Sequence, residues 1–170
     1  RQGTHRVWFT TVGTTVTRNE SRQSMTVLDG EQGFEKAKES YNFKTSGAIR
    51  SMTTFLYEGR KSAGDADEDA ALIEQNTYRA GTLSYAADTF TVTGDKGKHQ
   101  SFTTFKGNAG FERVMKQTNY RTDETERSYT EFLYDDGTGA LKPADQVADE
   151  SALRRQVTHR VWFTTVGTTV

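Results

Sequence analysis

One segment of thirteen residues occurs twice in this chain with no difference between the copies. Residues 4–16 read THRVWFTTVGTTV, and residues 158–170 read the same letters, 154 positions later. An old duplication would have accumulated substitutions, so two origins stay open: a tandem array of near-identical units, or an engineered duplication of one strand. On the array interpretation, residues 1–154 form one β-rich repeat unit, and residues 155–170, which copy 1–16, form the first strand of the next.

The repeated segment has the pattern of a β-strand. Its β-branched and aromatic residues alternate with period two, and it contains no proline and no acidic residue to protect an exposed edge. We therefore expect it to pair with another strand. The residues predicted to carry this interaction are Val7, Trp8, Phe9, Val12, Val161, Trp162, Phe163 and Val166.

The two copies compete for one place if the domain closes on itself. A strand has one register in which its apolar face points inward, so a closed domain accommodates one copy. The other copy is then expected to pair with an adjoining unit, or with another molecule by β-augmentation. The predicted partners are therefore copies of the chain itself or adjoining repeat units.

Most of the remaining chain predicts short strands joined by hairpins. Gly- and Asp-containing links separate apolar-polar alternations from residue 77 onward. Two stretches, 65–76 and 142–155, have the composition of short helices. The prediction is an all-β, mainly antiparallel fold, a barrel or sandwich of about eight to nine strands with one or two short helices. The predicted core is Trp8, Phe9, Val12, Phe55, Tyr85, Phe90, Val92, Phe105, Val114, Phe132 and Leu133.

Composition excludes several classes of protein. The chain has no cysteine, so it has no disulfide framework and no Cys-ligated metal. Lys and Arg number 22 against 23 Asp and Glu, which leaves no broad basic field for nucleic acid. No apolar run reaches the length of a transmembrane helix. The start lacks the pattern of a signal peptide. The first residue is not methionine, which suggests a piece of a longer protein. No motif predicts a cofactor.

One hairpin carries candidate ligand-binding residues. Inward-facing arginine and tyrosine side chains would bind an anionic group, and a glutamate would act as general acid or base. Cross-strand ion pairs on an outer face would use the same residue types. The candidates are Glu112, Arg113, Tyr120, Tyr129 and Glu131.

An acidic segment is the candidate metal site. Asp65, Asp67 and Asp69 have the first spacings of a calcium loop, but Ala70 and Asn76 stand where that motif requires glycine and glutamate. A solvated acidic loop is therefore favoured over a surface calcium site, and no metal is predicted. The three histidines lack metal-binding spacing and are expected at the surface.

Three functions remain. The first is a structural or adhesive repeat module of an extracellular or cell-surface filament protein, with units joined by strand complementation. The second is a small-ligand-binding β-barrel, natural or engineered. The third is a cofactor-free isomerase or cyclase on such a barrel. The absence of any catalytic motif in the sequence favours the first and a protein that is not an enzyme.

Overall fold

The computed structural model describes residues 2–12, 15–86, 89 and 91–162. Strands account for nearly all of the regular structure in these residues. They are β1 (Gln2–Val12), β2 (Thr15–Asp29), β3 (Lys36–Phe43), β4 (Ile49–Tyr57), β5 (Leu72–Arg79), β6 (Ser84–Ala86), β7 (Thr91–Thr93), β8 (His99–Lys106), β9 (Arg113–Tyr120), β10 (Glu126–Asp135), β11 (Leu141–Lys142) and β12 (Leu153–Arg160). Two 3₁₀ turns, Glu58–Arg60 and Ala144–Gln146, complete the described elements.

One antiparallel sheet contains all of these strands except β6 and β7, which pair only with each other. The main path runs β1-β2-β3-β4-β5-β8-β9-β10, and β10 pairs in addition with both β11 and β12. The all-β antiparallel fold predicted from the sequence is thereby confirmed. Among the described pairings, no ladder joins β1 to β12. No helix in the described part of the chain has the length and apolar character needed to cross a bilayer.

Local structure differs from the sequence prediction in three places. The predicted single strand over 4–16 is divided: β1 ends at Val12, and Thr15 and Val16 belong to β2, with Val12 paired to Thr15. The helix predicted over 65–76 is wrong, because its second half is β5. The helix predicted over 142–155 is also wrong: that stretch holds one 3₁₀ turn and the beginning of β12.

The two faces of the sheet differ in chemistry. One face carries hydroxyl and amide side chains that hydrogen-bond between neighbouring strands, which satisfies the buried hydroxyls of Thr53 and Thr130. Examples are Thr26 with Ser40 at 3.2 Å, Thr53 with Thr77 at 3.0 Å and Thr130 with Thr158 at 2.8 Å.

The opposite face carries the main apolar cluster. Its buried members lie on β2, β3 and β4 and are Met25, Tyr41, Phe43, Ile49 and Met52. Tyr85 and Val92 of the β6–β7 hairpin pack over them. A second cluster forms where the loop after β4 folds against the sheet, and it contains Tyr57, Ala63 and Ala70.

The core residues predicted from the sequence are not the buried residues of these two apolar clusters; at most they lie partly buried beside them. Seven of the predicted residues are half-buried, and the large buried side chains are instead Met25, Tyr41, Phe43, Ile49, Met52, Tyr57 and Tyr134. The seven half-buried residues are Phe55, Tyr85, Val92, Phe105, Val114, Phe132 and Leu133. Phe90 and the side chains of Trp8, Phe9 and Val12 lie outside the described part of the chain.

The chain contains a second, weaker internal similarity. Residues 23–57 and 100–134 align without a gap at an offset of 77, the distance from Gln23 to Gln100, and 15 of the 35 positions are identical. That offset is half of the 154-residue offset between the identical end segments. The first half therefore supplies β2, β3 and β4, and the second supplies β8, β9 and β10 at equivalent positions.

Side-chain contacts repeat between the two halves. Each half has a buried tyrosine whose hydroxyl donates to a backbone carbonyl and an asparagine amide that donates to a serine hydroxyl. These are Tyr57 to Ala37 and Tyr134 to Val114, both at 2.9 Å, and Asn42 to Ser51 and Asn119 to Ser128, both at 3.3 Å.

Candidate functional site: the junction strand and the arginine groove

Three strands of the sheet have related sequences and related neighbours. β1 contains Thr4-His5-Arg6, β5 contains Thr-Tyr-Arg at 77–79, and β12 contains Thr-His-Arg at 158–160. Most of β1 and the last three residues of β12 belong to the identical end segments, and β5 lies between the two similar halves. We call these three the junction strands.

β12 pairs with β10 in the register in which β5 pairs with β4. Both ladders shift by one residue at the same place, between Leu133 and Tyr134 and between Leu56 and Tyr57. The matching pairs are Ser128–Arg160 with Ser51–Arg79, Tyr129–His159 with Met52–Tyr78, and Tyr134–Leu153 with Tyr57–Leu72.

β1 pairs with β2 in the register in which β5 pairs with β8. These ladders also shift at equivalent places, between Thr4 and His5 and between Thr77 and Tyr78. The matching pairs are Gln2–Thr26 with Gln75–Thr103, Thr4–Ser24 with Thr77–Ser101, and His5–Arg22 with Tyr78–His99.

The three junction strands therefore use two different edges. β5 is paired on both edges, with β4 and β8. In the ladders of the described residues, β1 pairs along the edge that is equivalent to the β8 side of β5, and β12 pairs along the edge that is equivalent to the β4 side of β5. Among the described residues, 158–160 of the second copy thus leave open the edge that the equivalent residues of the first copy use.

The expectation that only one copy would find a partner within the chain is wrong. Residues 158–160 of the second copy pair with β10, and the first copy pairs with β2. Both fit because the sheet is a linear path with two ends, so the copies do not compete for one place. Of the predicted interaction residues, Val7 and Trp162 are exposed, Trp162 to 73%. Val161 is half-buried, and Phe163 and Val166 lie outside the described residues.

A second feature is a polar groove across the end of six neighbouring strands. It has a volume of about 680 Å³. The residues that line it are Arg50, Arg79, Gln100, Asn119, Tyr120, Arg127, Ser128, Thr158 and Arg160. Four of these nine are arginines and none is acidic, so the groove is a concentrated positive site in a chain whose net charge is −1. We call it the arginine groove.

β-Bulges place two of these arginines in the groove. The ladder of β3 with β4 shifts where Arg50 is inserted, and the ladder of β9 with β10 shifts where Arg127 is inserted. A bulge leaves its extra residue without a cross-strand partner and redirects its side chain. Arg50 and Arg127 are exposed, and they occupy equivalent positions in the two halves.

Arg79 is held differently. It is half-buried, and its guanidinium donates to the backbone carbonyls of His99, at 2.5 Å, and Tyr120, at 3.3 Å. Arg160, at the equivalent position on β12, is exposed, and its guanidinium lies 5.3 Å from the ring centroid of Trp162.

The predicted ligand residues Glu112 and Arg113 lie at the other end of the sheet. Arg113 is buried, and its guanidinium donates to the carbonyls of Ala144, Val147 and Ala148 and approaches Asp149 at 3.3 Å. Glu112 accepts hydrogen bonds from the N–H groups of Leu72 and Gly110. Both side chains thus fasten loops to the sheet.

The other three predicted ligand residues are split between two places. Tyr120 contributes to the lining of the arginine groove. Tyr129 and Glu131 lie on β10 beside His159: the Tyr129 ring stacks on it at 4.7 Å, and a Glu131 oxygen is 3.0 Å from its Nε2. The arginine groove was missed because its residues come from six strands; the period of 77, which recurs in Arg50 and Arg127, could have indicated it.

The carboxylates of the acidic segment, Asp65, Asp67 and Asp69, are not arranged around a common point. Asp67 forms an ion pair with Lys61 at 2.7 Å, which lowers the pKa of that carboxyl, and Asp65 accepts a hydrogen bond from Ser62 at 2.6 Å. Among the described residues, no group of three or more His, Cys, Asp or Glu side chains is arranged to hold a metal ion.

His99 departs from the expectation of surface histidines. Its ring lies between Tyr78, at 4.4 Å, and Tyr120, at 5.5 Å. Its Nε2 is buried and has no hydrogen-bond partner among the described residues. Burial lowers the pKa of His99, an effect that Lys96 reinforces and Glu124 opposes.

We expect this histidine to make stability depend on pH. Because its pKa is lower in the folded protein than in the unfolded chain, protonation favours unfolding, so stability is present above the unfolded pKa of about 6.5 and falls as pH drops below it. Urea unfolding at about pH 7.5 and about pH 5 measures the loss. His99→Phe keeps the stacked ring without the titration and should lose less; an equal loss in both proteins would contradict this assignment.

Comparisons with protein-family models, with curated proteins and with solved structures found no significant match to this chain.

Proposed function

We propose that this protein is a structural or adhesive repeat module of an extracellular or cell-surface filament protein, in which successive units share one continuous sheet. The junction strand between two units belongs to both: it closes the sheet of the preceding unit against β10 and begins the next unit beside β2. The partners are therefore adjoining units or further copies of the same chain.

The observation that carries the proposal is the register of β5. This strand pairs with β4 and β8 together; its ladder with β4 matches all seven pairs of β12 with β10, and its ladder with β8 matches the first four pairs of β1 with β2. The residues Thr-His-Arg, at 4–6 and 158–160, can therefore face β2 on one edge and β10 on the other without a change of register.

The exposed edges give a driving force for joining. An unpaired edge strand presents a row of free N–H and C=O groups and recruits another strand. The free edge of β12 is the one that would pair with β2 of another molecule, and the free edge of β1 is the one that would pair with β10 of another molecule. Exchange of one copy for the other between molecules gives a head-to-tail contact, which extends into a filament when it does not close into a ring. In a repeat array each unit is stabilised by its neighbours, so long arrays are favoured.

The test compares the chain with and without its second copy. The full chain should form higher-order species that increase with concentration, and a chain lacking residues 158–170 should remain folded and monomeric. A chain lacking residues 1–12 leaves the edge of β2 vacant and should assemble more strongly than the full chain. Sedimentation velocity measures all three.

The opposite result has a clear meaning. If the full chain is strictly monomeric at all concentrations, and the chain lacking residues 1–12 does not assemble either, the filament proposal is wrong. An engineered duplication of one strand then accounts better for the identical end segments.

A further inference from the structure

We propose that the arginine groove binds an extended acidic polysaccharide. This inference is separate from the joining of units, since it concerns the residues that line one end of the sheet and not its edges. It rests on the charge, shape and lining of the groove and on the recurrence of its residues in both halves of the chain.

The groove is long enough for an extended chain. Its residues come from β4, β5, β8, β9, β10 and β12, six strands that are neighbours in the sheet. Neighbouring strands are about 4.8 Å apart, so the groove extends about 24 Å across them. Arg50 and Arg79 stand near one end and Arg127 and Arg160 near the other, about 19 Å away. An anionic ligand that contacts both ends must be extended and carry several charges.

The side chains of the two bulge arginines, at equivalent positions in the two halves, make no polar contact with described residues that stabilises the fold. Arg50 and Arg127 are exposed, and neither guanidinium has a hydrogen bond or ion pair with any residue in the described part of the chain. Packing therefore does not account for arginine at both bulges. A planar guanidinium with five donors is suited to bidentate binding of a carboxylate or sulfate group.

The lining between the arginines suits sugar hydroxyls. Gln100, Asn119, Ser128 and Thr158 supply amide and hydroxyl groups along the middle of the groove. Such groups both donate and accept hydrogen bonds, as sugar hydroxyl groups also do. Nucleic acid is the less suitable polyanion, because the chain as a whole has no excess of basic residues.

Recurrence would extend the groove along an array. Arg50 and Arg127 are 77 residues apart, as are Gln23 and Gln100. Each further half-unit of the same sequence would add one bulge arginine about 19 Å along the row. Affinity for a long polysaccharide would then rise with the number of units through multivalency.

The experiment measures binding of the full chain to heparin, polygalacturonate, dextran and single-stranded DNA by isothermal titration calorimetry at two salt concentrations. We expect heparin, polygalacturonate or both to bind, with affinity that falls as salt rises, and dextran not to bind. The double variant Arg50→Gln/Arg127→Gln should lose at least about tenfold in affinity, because charge-assisted hydrogen bonds are lost at both ends of the groove.

A matched variant controls for net charge. Lys44→Gln/Arg155→Gln removes the same two charges from exposed positions outside the groove and should change affinity less than about twofold. Arg50→Lys/Arg127→Lys keeps the charge, so it should lose less than the glutamine pair; thermal melts of each variant check that it is folded.

Four results would overturn the proposal. They are no binding of either acidic polysaccharide, an equal loss of affinity in the groove and control variants, binding of dextran as tight as that of the acidic polysaccharides, or tighter binding of single-stranded DNA than of both acidic polysaccharides.

Discussion

Replacing Arg160 with proline should leave a folded chain that stays monomeric at concentrations where the wild-type chain assembles. The N–H of Val161 donates to the carbonyl of Arg127 on β10, at 3.0 Å. Successive residues of a strand point their N–H groups to opposite edges, so the Arg160 N–H faces the free edge of β12. At the equivalent position, the Arg79 N–H donates to the Lys98 carbonyl, at 2.9 Å, just before β8. Proline at 160 removes this donor and obstructs that edge while the ladder with β10 stays intact.

Proline at the neighbouring position is the matched control. The His159 N–H lies on the β10 side, so His159→Pro should lower the free energy of unfolding by about 1–2 kcal/mol through a lost ladder bond. Arg160→Gln should assemble like the wild type, which separates the backbone donor from the guanidinium. Sedimentation velocity and urea unfolding give the two readouts. Assembly of Arg160→Pro at the wild-type level would refute the assignment of the free edge.

Replacing Phe43 with alanine should cost about 3–5 kcal/mol of unfolding free energy. Phe43 is 8% exposed within the main apolar cluster, and Tyr85 packs edge-on against its ring at 5.2 Å. Removing the ring leaves a cavity between the sheet and the β6–β7 hairpin.

The equivalent residue of the second half provides an internal comparison. Tyr120 corresponds to Phe43, but it is only half-buried and stacks on His99 at 5.5 Å. Tyr120→Ala should therefore cost clearly less than Phe43→Ala, since less apolar area returns to water. Urea unfolding of both variants measures the difference. Equal costs would mean that the hairpin contributes little to covering Phe43.

The sequence alone determined the fold class and the special status of the repeated segment. Alternation with period two and short polar links depend on neighbouring residues, so the hairpins of β8, β9 and β10 could be predicted from local pattern. The identical end segments predicted a strand that pairs with another strand, and β1 and residues 158–160 are both paired within the chain.

Local composition failed where tertiary pairing outweighed it. The stretch 65–76 has acidic residues followed by alanine and leucine, a helical pattern, yet Leu72–Arg79 forms the strand that joins the two halves of the sheet. Two flanking ladders stabilise that strand, and helix propensity differences of less than about 1 kcal/mol per residue do not compete with them.

The arginine groove and the complementary edges were decided only by the tertiary structure. Arg50, Arg79 and Arg127 are far apart in the chain and meet because strand order and bulged registers bring them to one end of the sheet. Likewise, residues 4–6 and 158–160 are identical, but the first set pairs with β2 and the second with β10, so different edges stay open. A sequence specifies the alternation along a strand, but the choice of edge and neighbour depends on long-range hydrogen bonds that form only when the sheet assembles.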